Sequence, residues 1–293
     1  MLQTVTLFGI TINPYDLFNN LGYICCVVFV FFTLREFEEA CVLPSLAYTS
    51  LERKRGKPVP KLGRKGIAFL LFMLFFIPTF IAVNLAEAPI SQLFLGNTDA
   101  NFTPSILVGP FVVFLLALLL KSSPMKTLDI SVIVIAAPLF FFKIACFCWG
   151  CCNGVACDHG MMNVKTGRME FPVQLVEAAC AVVMQVILMV LFKKGKQKKG
   201  VLYPLFMLMY SGSRFISEFW RDDYQPVWGR LNGYHLQLLL GFVLGAVALI
   251  VVLIWGERIT AYFEAKNKAF LEKHQKKIKA KKKIVHSNKR RKK

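Results

Sequence analysis

Four polar side chains recur on one face of an apolar segment in the last third of the chain. Tyr210, Arg214, Glu218 and Arg221 follow one another at steps of four, four and three residues. Helical neighbours lie three or four positions apart, so this spacing places all four on one face of a helix. Two interpretations are open. The charges form a structural ion pair between helices, or the arginines bind an anion, because a planar guanidinium suits phosphate oxygens.

The composition shows what kind of environment surrounds these charges. The chain has 293 residues, of which 56% are hydrophobic and 27 are phenylalanine, and its mean hydropathy is +0.52. These values are too high for a soluble domain and are typical of a polytopic membrane protein. A charged side chain at membrane depth is costly unless it faces protein or water, so each one is a candidate functional residue.

The apolar segments predict an all-α membrane protein with about seven transmembrane helices. Residues 1–265 would form the membrane domain and residues 266–293 a basic cytoplasmic tail. Asp129 would lie in the first turn of the fourth span, where the helix dipole favours a carboxylate. The predicted spans are 17–34, 67–86, 106–120, 128–148, 173–192, 201–221 and 236–255.

The basic residues predict the orientation of these spans. The net charge is +19, and three basic clusters cover Arg53–Lys65, Lys193–Lys199 and Lys266–Lys293. All three fall on one side if the amino terminus is outside and the carboxyl terminus is cytoplasmic, as the positive-inside rule requires. A basic tail beside a membrane favours anionic headgroups over nucleic acid, so no nucleic-acid partner is expected. The first residues lack the features of a cleavable signal peptide.

This topology brings polar residues from other spans to the depth of the arginine face. Lys143, Gln174 and Glu177 all lie in the outer half of the predicted bundle. Each has a simpler interpretation, since a lysine near a helix end snorkels to the interface and a glutamate in a first turn caps its helix. If they converge instead, three cations beside a carboxylate would hold the phosphate of a lipid headgroup.

Three sequence motifs carry a resemblance to a known family. They are Cys148–Gly154, Phe171–Glu177, which reads Phe-Pro-Val-Gln-Leu-Val-Glu, and Tyr210–Arg221. In type and order they resemble the prolipoprotein diacylglyceryl transferase family. Tyr15 before the first span and Gln237 at the start of the seventh also fit that pattern.

The resemblance implies an activity and a set of residues. Such enzymes, in the bacterial plasma membrane, move the diacylglyceryl group of phosphatidylglycerol to the lipobox cysteine of a prolipoprotein signal peptide and need no cofactor. The resemblance assigns catalytic roles to Arg214, Lys143, Tyr210 and Glu218. It assigns substrate binding to Tyr15, Gly154, Gln174, Glu177, Arg221 and Gln237.

The chain departs from the family pattern at two places. Lys143 stands where the family has an arginine, and the run Ser105–Pro110 lacks the family's His-Gly-Gly motif. His159 and His235, in predicted outer regions, are candidate replacements for a missing base. Two alternatives to an active transferase follow. The chain is a catalytically degenerate homologue that still binds anionic lipid, or it is a non-enzymatic membrane scaffold or lipid transporter.

A cluster of cysteines near the end of the fourth span suggests a different chemistry. Zinc or an iron–sulfur cluster takes cysteine and histidine ligands. The spacing Cys-x-Cys-x-x-Cys-Cys matches no standard ligand pattern, so disulfides or small buried side chains are favoured and no metal site is predicted. The residues concerned are Cys146, Cys148, Cys151, Cys152, Cys157 and His159.

Overall fold

The computed structural model describes residues 5–7, 10–95, 102–195, 197–222, 226–229 and 231–291. Parts of two predicted outer loops, 96–101 and 223–225 with residue 230, lie outside the described residues. Within the described ranges the chain is helical apart from loops and three short antiparallel hairpins. The predicted all-α class is therefore confirmed.

Nine α-helices and three hairpins follow one another along the described parts of the chain. The hairpins pair β1 (Val5–Leu7) with β2 (Ile10–Ile12), β3 (Ala156–Asn163) with β4 (Arg168–Glu170), and β5 (Pro226–Trp228) with β6 (Leu231–Asn232). The helices are α1 (Pro14–Ala40), α2 (Val42–Arg55), α3 (Lys61–Leu95), α4 (Thr103–Leu119), α5 (Pro124–Ala136), α6 (Leu139–Trp149), α7 (Val173–Lys194), α8 (Leu202–Ser217) and α9 (Gly233–Arg291).

Five segments are long and apolar enough to cross a membrane, so the chain is an all-α membrane protein. The predicted third and sixth spans correspond to two shorter helices, α4 with 17 residues and α8 with 16. Apolar side chains on the outside of the bundle remain exposed, as lipid-facing residues would be, and Ile24 and Val183 are each 58% exposed. The five segments are Pro14–Ala40, Lys61–Phe94, Pro124–Trp149, Val173–Lys194 and Gly233–Lys276.

The predicted fourth span is not one continuous helix. It is divided into α5 and α6, which meet at Ala137 and Pro138. Proline has no N–H to donate within a helix, and its ring crowds the preceding turn, so a break at this position is expected. Both junction residues keep right-handed helical backbone angles, so the two helices still form one apolar segment, and α6 carries Lys143.

The last helix is much longer than the predicted seventh span. It continues through the basic tail to Arg291, so the tail is a helical extension of the span. Helix α9 also contacts the bundle between Glu264 and Phe270. Lys126 Nζ lies 2.6 Å from Glu264 Oε1, and the Lys121 ammonium lies 5.9 Å from the Phe270 ring. The start of the basic tail thus lies against the bundle at Phe270.

Two apolar clusters form the core of the bundle. One lies between α5, α7 and α8, where Ile133, Leu188 and Phe206 are fully buried. The other joins α1 to α3, where the Phe37 ring contacts Phe72 and Phe75 edge-on at centroid distances of 5.1 and 5.5 Å. Edge-to-face aromatic pairs of this kind stabilise a core beyond the area they bury.

A buried carboxylate holds α5 to the start of α8. Asp129 accepts hydrogen bonds from the backbone N–H of Gly200 at 2.7 Å and of Leu202 at 2.9 Å, and it is 4% exposed. The sequence predicted that Asp129 lies in the first turn of the fourth span. The helix begins earlier, at Pro124, so Asp129 lies in the second turn and serves the amino-terminal end of a different helix, where a carboxylate is favoured.

Replacing Asp129 by asparagine should destabilise the fold without altering Lys143, Glu177 or Arg214. An amide offers one acceptor oxygen where the carboxylate used two, and a buried N–H left without a partner costs about 1–3 kcal/mol. We expect Asp129→Asn to lower the thermal unfolding midpoint of the detergent-solubilised protein. The matched control is Asp158→Asn at an exposed position, which should leave the midpoint unchanged. Equal midpoints for the two variants would show that the Asp129 contacts contribute nothing.

Candidate active site

Three helices bring charged side chains from distant parts of the sequence to one point. Helix α7 packs between α6 and α8, and the three supply Lys143, Glu177 and Arg214. Leu139 of α6, Leu188 of α7 and Phe206 of α8 belong to one buried apolar cluster, which fixes the spacing of these helices. The side chains of Lys143, Glu177 and Arg214 are 19%, 6% and 11% exposed, so their charges interact in a largely protein environment.

Glu177 is the centre of this group. Its Oε2 lies 2.6 Å from Lys143 Nζ, and its Oε1 pairs with Arg214 Nη1 and accepts a hydrogen bond from Ser217 Oγ at 2.9 Å. Both simpler interpretations of the sequence are therefore wrong. Lys143 does not snorkel to the interface, and Glu177 uses its carboxylate for cations from neighbouring helices and not to cap its own helix.

A second carboxylate lies on the other side of Arg214. Glu218 is fully buried, and its Oε2 lies 3.0 Å from Arg214 Nη2 and 3.6 Å from Arg221 Nε. Its Oε1 accepts a hydrogen bond from Asn232 Nδ2 at 3.0 Å. Asn232 Oδ1 in turn lies 2.7 Å from His235 Nδ1. The polar network thus extends from α6 to the start of α9.

The charges of this network do not cancel. Lys143, Arg214 and Arg221 oppose Glu177 and Glu218, which leaves one net positive charge. Buried ions tolerate desolvation only when they are paired and hydrogen-bonded, and each member here has a counter-ion. The remaining positive charge favours an additional anion at this point.

Two cavities of different character adjoin the network. A small one of about 20 Å³ is lined by Lys143, Glu177, Tyr210 and Arg214 together with apolar residues. A larger one of about 440 Å³ lies between α1, α3, α4 and α5 and is mainly apolar. Phe102 lines the larger cavity, and its ring packs on Tyr210 at 5.6 Å. The small cavity has room for about one water molecule beside the charged side chains, whereas the larger one is mainly apolar.

The other predicted site residues surround the network without contacting Glu177. Gln174 Nε2 donates a hydrogen bond to the carbonyl of Cys151 at 2.7 Å, and the ring of Tyr15 packs on Trp149 at 5.3 Å. Gly154 forms a backbone bridge with Arg221. These contacts hold the loop that follows α6 against α1, α7 and the end of α8.

Gln237 differs from these residues. It is fully buried near the start of α9, and neither of its side-chain polar atoms has a hydrogen-bond partner among the described residues. A buried amide without partners costs free energy. Gln237 is therefore a candidate for hydrogen bonding to a bound molecule.

The sequence interpretation missed two residues of the network. Ser217 lies three positions after Arg214, so helical spacing already placed it on the same side. Asn232 carries no such signal, because it lies 14 residues after Glu218, its hydrogen-bond partner. His235, which was named as a candidate base, is fully buried and packs between the rings of Phe215 and Phe219 at 4.8 and 4.3 Å.

Comparison with known families decides the relationship of this chain. The family of prolipoprotein diacylglyceryl transferases matches residues 104–255, more than half of the chain. The protein belongs to this family. The sequence-based resemblance is thereby confirmed, and a comparison with curated proteins gives no match.

Family membership makes this protein a membrane transferase of lipoprotein biosynthesis. The matched range contains every charged member of the network, from Lys143 to Arg221. It excludes Tyr15 and all of α3, so more than half of the residues that line the larger cavity lie outside it. The family relation thus rests on the helices that carry the charges.

Gly154 offers a test of how the loop is held. A Cβ atom at this position would lie 1.9 Å from the carbonyl oxygen of Phe171, so the backbone itself would have to shift. We expect Gly154→Ala to destabilise the protein by about 1–3 kcal/mol, as overpacking does, and to reduce transferase activity through displacement of Arg221. The measurement is the thermal unfolding midpoint together with activity below that midpoint.

The matched control is Gly66→Ala. Gly66 lies within α3 with nothing near its missing Cβ, so alanine there should be neutral or stabilise the helix by about 0.5–1 kcal/mol. If Gly154→Ala behaves like Gly66→Ala, the tight contact with Phe171 has no energetic weight.

Proposed function

We propose that this protein transfers the diacylglyceryl group of phosphatidylglycerol to the lipobox cysteine of a prolipoprotein, forming a thioether. One observation carries the proposal. Lys143 and Arg214, from two helices, converge on the single carboxylate of Glu177 beside an apolar cavity, in a chain of the transferase family. Two convergent cations next to an apolar space suit a lipid phosphate with its acyl chains.

The reaction defines what the site must supply. The cysteine sulfur attacks the glyceryl carbon that is bonded to the phosphate oxygen. The carbon–sulfur bond forms, the carbon–oxygen bond breaks, and its electron pair leaves on the phosphate of glycerol phosphate. A base takes the thiol proton, since the thiolate is the nucleophile. Negative charge develops on the leaving phosphate, so fixed cations at that point lower the barrier.

Arg214 is arranged to bind this phosphate without losing its position. Its Nη2 pairs with Glu218, which Asn232 and Arg221 hold in turn, while its Nη1 faces Glu177. A phosphate oxygen takes the place of a Glu177 oxygen on Nη1 and on Lys143, and the pairing with Glu218 stays intact. Glu218 and Arg221 are then positioning residues, and Tyr210 offers its hydroxyl to the same cavity.

The base must come from this cavity, since the family's histidine motif is absent at residues 105–110. Once a phosphate holds Lys143 and Arg214, the Glu177 carboxylate is released from both cations. It is then the acidic group that lines the small cavity nearest to the reacting atoms. We therefore assign proton acceptance to Glu177 and hydrogen bonding of the headgroup to Gln237. Tyr15, Gln174 and Gly154 hold the covering loop.

The larger cavity is assigned to the acyl chains. Its walls are dominated by phenylalanine and aliphatic side chains, and burial of each methylene there contributes about 0.8 kcal/mol. Phe142 lines this cavity and directly precedes Lys143, so a chain in the cavity ends next to the cation that binds its phosphate. The signal peptide of the prolipoprotein is the second substrate in this scheme.

The orientation and the number of spans belong to the same proposal. With α4 and α8 added to the five long segments, the chain crosses the membrane seven times, and the amino terminus is outside. The basic end of α7, the basic segment before α3 and the tail then lie in the cytoplasm, as the positive-inside rule expects. Glu177 and Arg214 lie towards the outer surface.

Labelling of single cysteines tests this orientation. In a cysteine-free background, Val164→Cys in the β3–β4 hairpin should react with an impermeant thiol reagent added to intact cells. Lys194→Cys at the end of α7 should react only after the membrane is opened. Both positions are exposed, so accessibility of the side chain is matched. Labelling of Lys194→Cys alone in intact cells would reverse the proposed topology.

Conservative replacement of Lys143 and Arg214 tests whether these cations bind the phosphate or only form ion pairs with Glu177 and Glu218. Arg214→Lys keeps the charge but loses the planar fork that serves Glu218 and the phosphate together, so the transfer rate should fall by a factor on the order of 10²–10³. Lys143→Arg should be tolerated, since arginine also reaches a phosphate oxygen. The measurement is transfer of labelled diacylglyceryl to a lipobox peptide in liposomes.

Arg168→Lys is the matched control, because Arg168 is half exposed and pairs with Asp222 away from the cavity. It should retain full activity. A well-folded Arg214→Lys protein with the activity of Arg168→Lys would leave Arg214 a purely structural role.

The rival function is that of a degenerate homologue which binds anionic lipid without transfer. It is favoured by the lysine at position 143 and by the missing histidine motif. Restoration of lipoprotein lipidation in cells depleted of their own transferase distinguishes the two. Binding of phosphatidylglycerol without restoration would establish the rival.

A further inference from the structure

Three thiols from different parts of the cysteine-rich region meet at one point. The Sγ atoms of Cys146, Cys151 and Cys152 all lie within 4.8 Å of one another. Cys146 belongs to α6, and the other two belong to the loop that follows it. Three ligands bonded to one ion at about 2.3 Å would lie about 3.8–4.0 Å apart, so the thiols need only a small closure to share a metal.

The backbone holds this arrangement in place. Neighbouring side chains of an extended segment point to opposite sides, so Cys151 and Cys152 would normally diverge. Cys152 instead adopts a left-handed conformation with φ of 59°, which is uncommon for a residue with a side chain. Gly150 caps α6 in the same conformation, and the Cys151 N–H bonds to the carbonyl of Cys146 at 3.2 Å.

Contacts further along the loop hold the backbone around Cys152 in this conformation. Gln174 holds the Cys151 carbonyl at 2.7 Å, the Asp222 N–H bonds to Asn153 at 2.9 Å, and the Val155 N–H bonds to Trp220 at 2.9 Å. The loop is thus tied to α7 and to the end of α8. A residue kept in a sparsely populated conformation by its surroundings is typical of a functional position.

The chemistry of sulfur decides which ions fit this arrangement. The thiolate is the form of cysteine that binds a metal. Three sulfur ligands are soft and select thiophilic ions over the hard cations that prefer oxygen.

We propose that Cys146, Cys151 and Cys152 form a three-thiolate site for a thiophilic d¹⁰ metal ion, Zn²⁺ or Cu⁺. The three cysteines share the ion and lose their protons to solvent on binding. Zn²⁺ takes a water or a substrate atom as its fourth ligand, whereas Cu⁺ is satisfied by three sulfurs. Cys148, Cys157 and His159 are not part of the site.

The site lies beside the proposed active site and is independent of it in chemistry. Cys146 follows Lys143 by three residues, so the two lie on adjacent positions of one face of α6. A bound ion joins α6 to the loop that Gln174 and Gly154 hold. Binding of metal therefore rigidifies the wall of the transferase cavity, and this holds for an active enzyme and for a degenerate homologue alike.

Metal binding by the full-length protein in detergent tests the proposal. The protein is purified with a thiol-free reductant and titrated with Cd²⁺, whose thiolate absorption reports divalent binding. A second arm titrates Cu⁺ against a competing chelator. We expect one ion per chain in at least one arm. Serine at any of the three positions should weaken binding by more than tenfold, because loss of even a supporting group costs about 10–100-fold.

Cys148→Ser and Cys157→Ser are the matched controls and should bind like the unaltered protein. A second measurement covers variants that fold poorly: in the unaltered protein, the metal should protect Cys146, Cys151 and Cys152 from alkylation and leave Cys148 and Cys157 reactive. Three results would overturn the proposal. They are binding in neither arm, binding that survives serine at all three positions, and a disulfide among the three cysteines in protein isolated from membranes.

Discussion

The structure depends on one guanidinium between two carboxylates. Arg214 pairs through Nη1 with Glu177 on α7 and through Nη2 with Glu218 just beyond the end of its own helix. Both carboxylates are buried, and a buried ion without a partner costs several kcal/mol. Helix α7 therefore cannot move away from α8 without leaving a charge uncompensated, and Lys143 fixes α6 to the same point.

A buried polar network of this kind requires rigid supports on all sides. Asp129 fixes the first turn of α8, and the apolar cluster around Leu188 and Phe206 fixes its middle. The loop after α6 fixes its carboxyl-terminal end through the backbone bridge of Gly154 and Arg221. Because α8 is held at three levels, the arginine fork keeps a defined direction towards the cavity. Preorganised donors of this type stabilise developing charge without reorganisation during the reaction.

Much of this arrangement is predictable from local sequence patterns. The steps of four and three residues placed Arg214, Glu218 and Arg221 on one side, and their contacts follow that spacing even where α8 tightens into a single 3₁₀ turn at Glu218–Trp220. Apolar runs gave the class of the protein, because hydropathy reports the solvent of each segment. The motif order gave the family. Each of these signals is contained within one short segment.

What the sequence did not predict depends on contacts between distant segments. The partner of Asp129 lies 71 residues later, and the asparagine that bonds to Glu218 lies 14 residues later. The length of α9 was underestimated because a change from apolar to basic composition marks the edge of the membrane and not the end of a helix. The three-thiol cluster requires a left-handed residue at Cys152, which no pattern of cysteine spacing reveals.

The lysine at position 143 is explained if the two cations, Lys143 and Arg214, have different tasks. An ammonium is a compact charge on a flexible stem and contacts one oxygen of Glu177, whereas Arg214 is bound to two carboxylates and is fixed in plane. In the proposed reaction one cation must hold its direction while the other follows a phosphate that changes from ester to leaving group. A lysine is suited to the second task, because its three donors rotate freely. Its presence is therefore compatible with catalysis, provided that Arg214 alone supplies the directional contact.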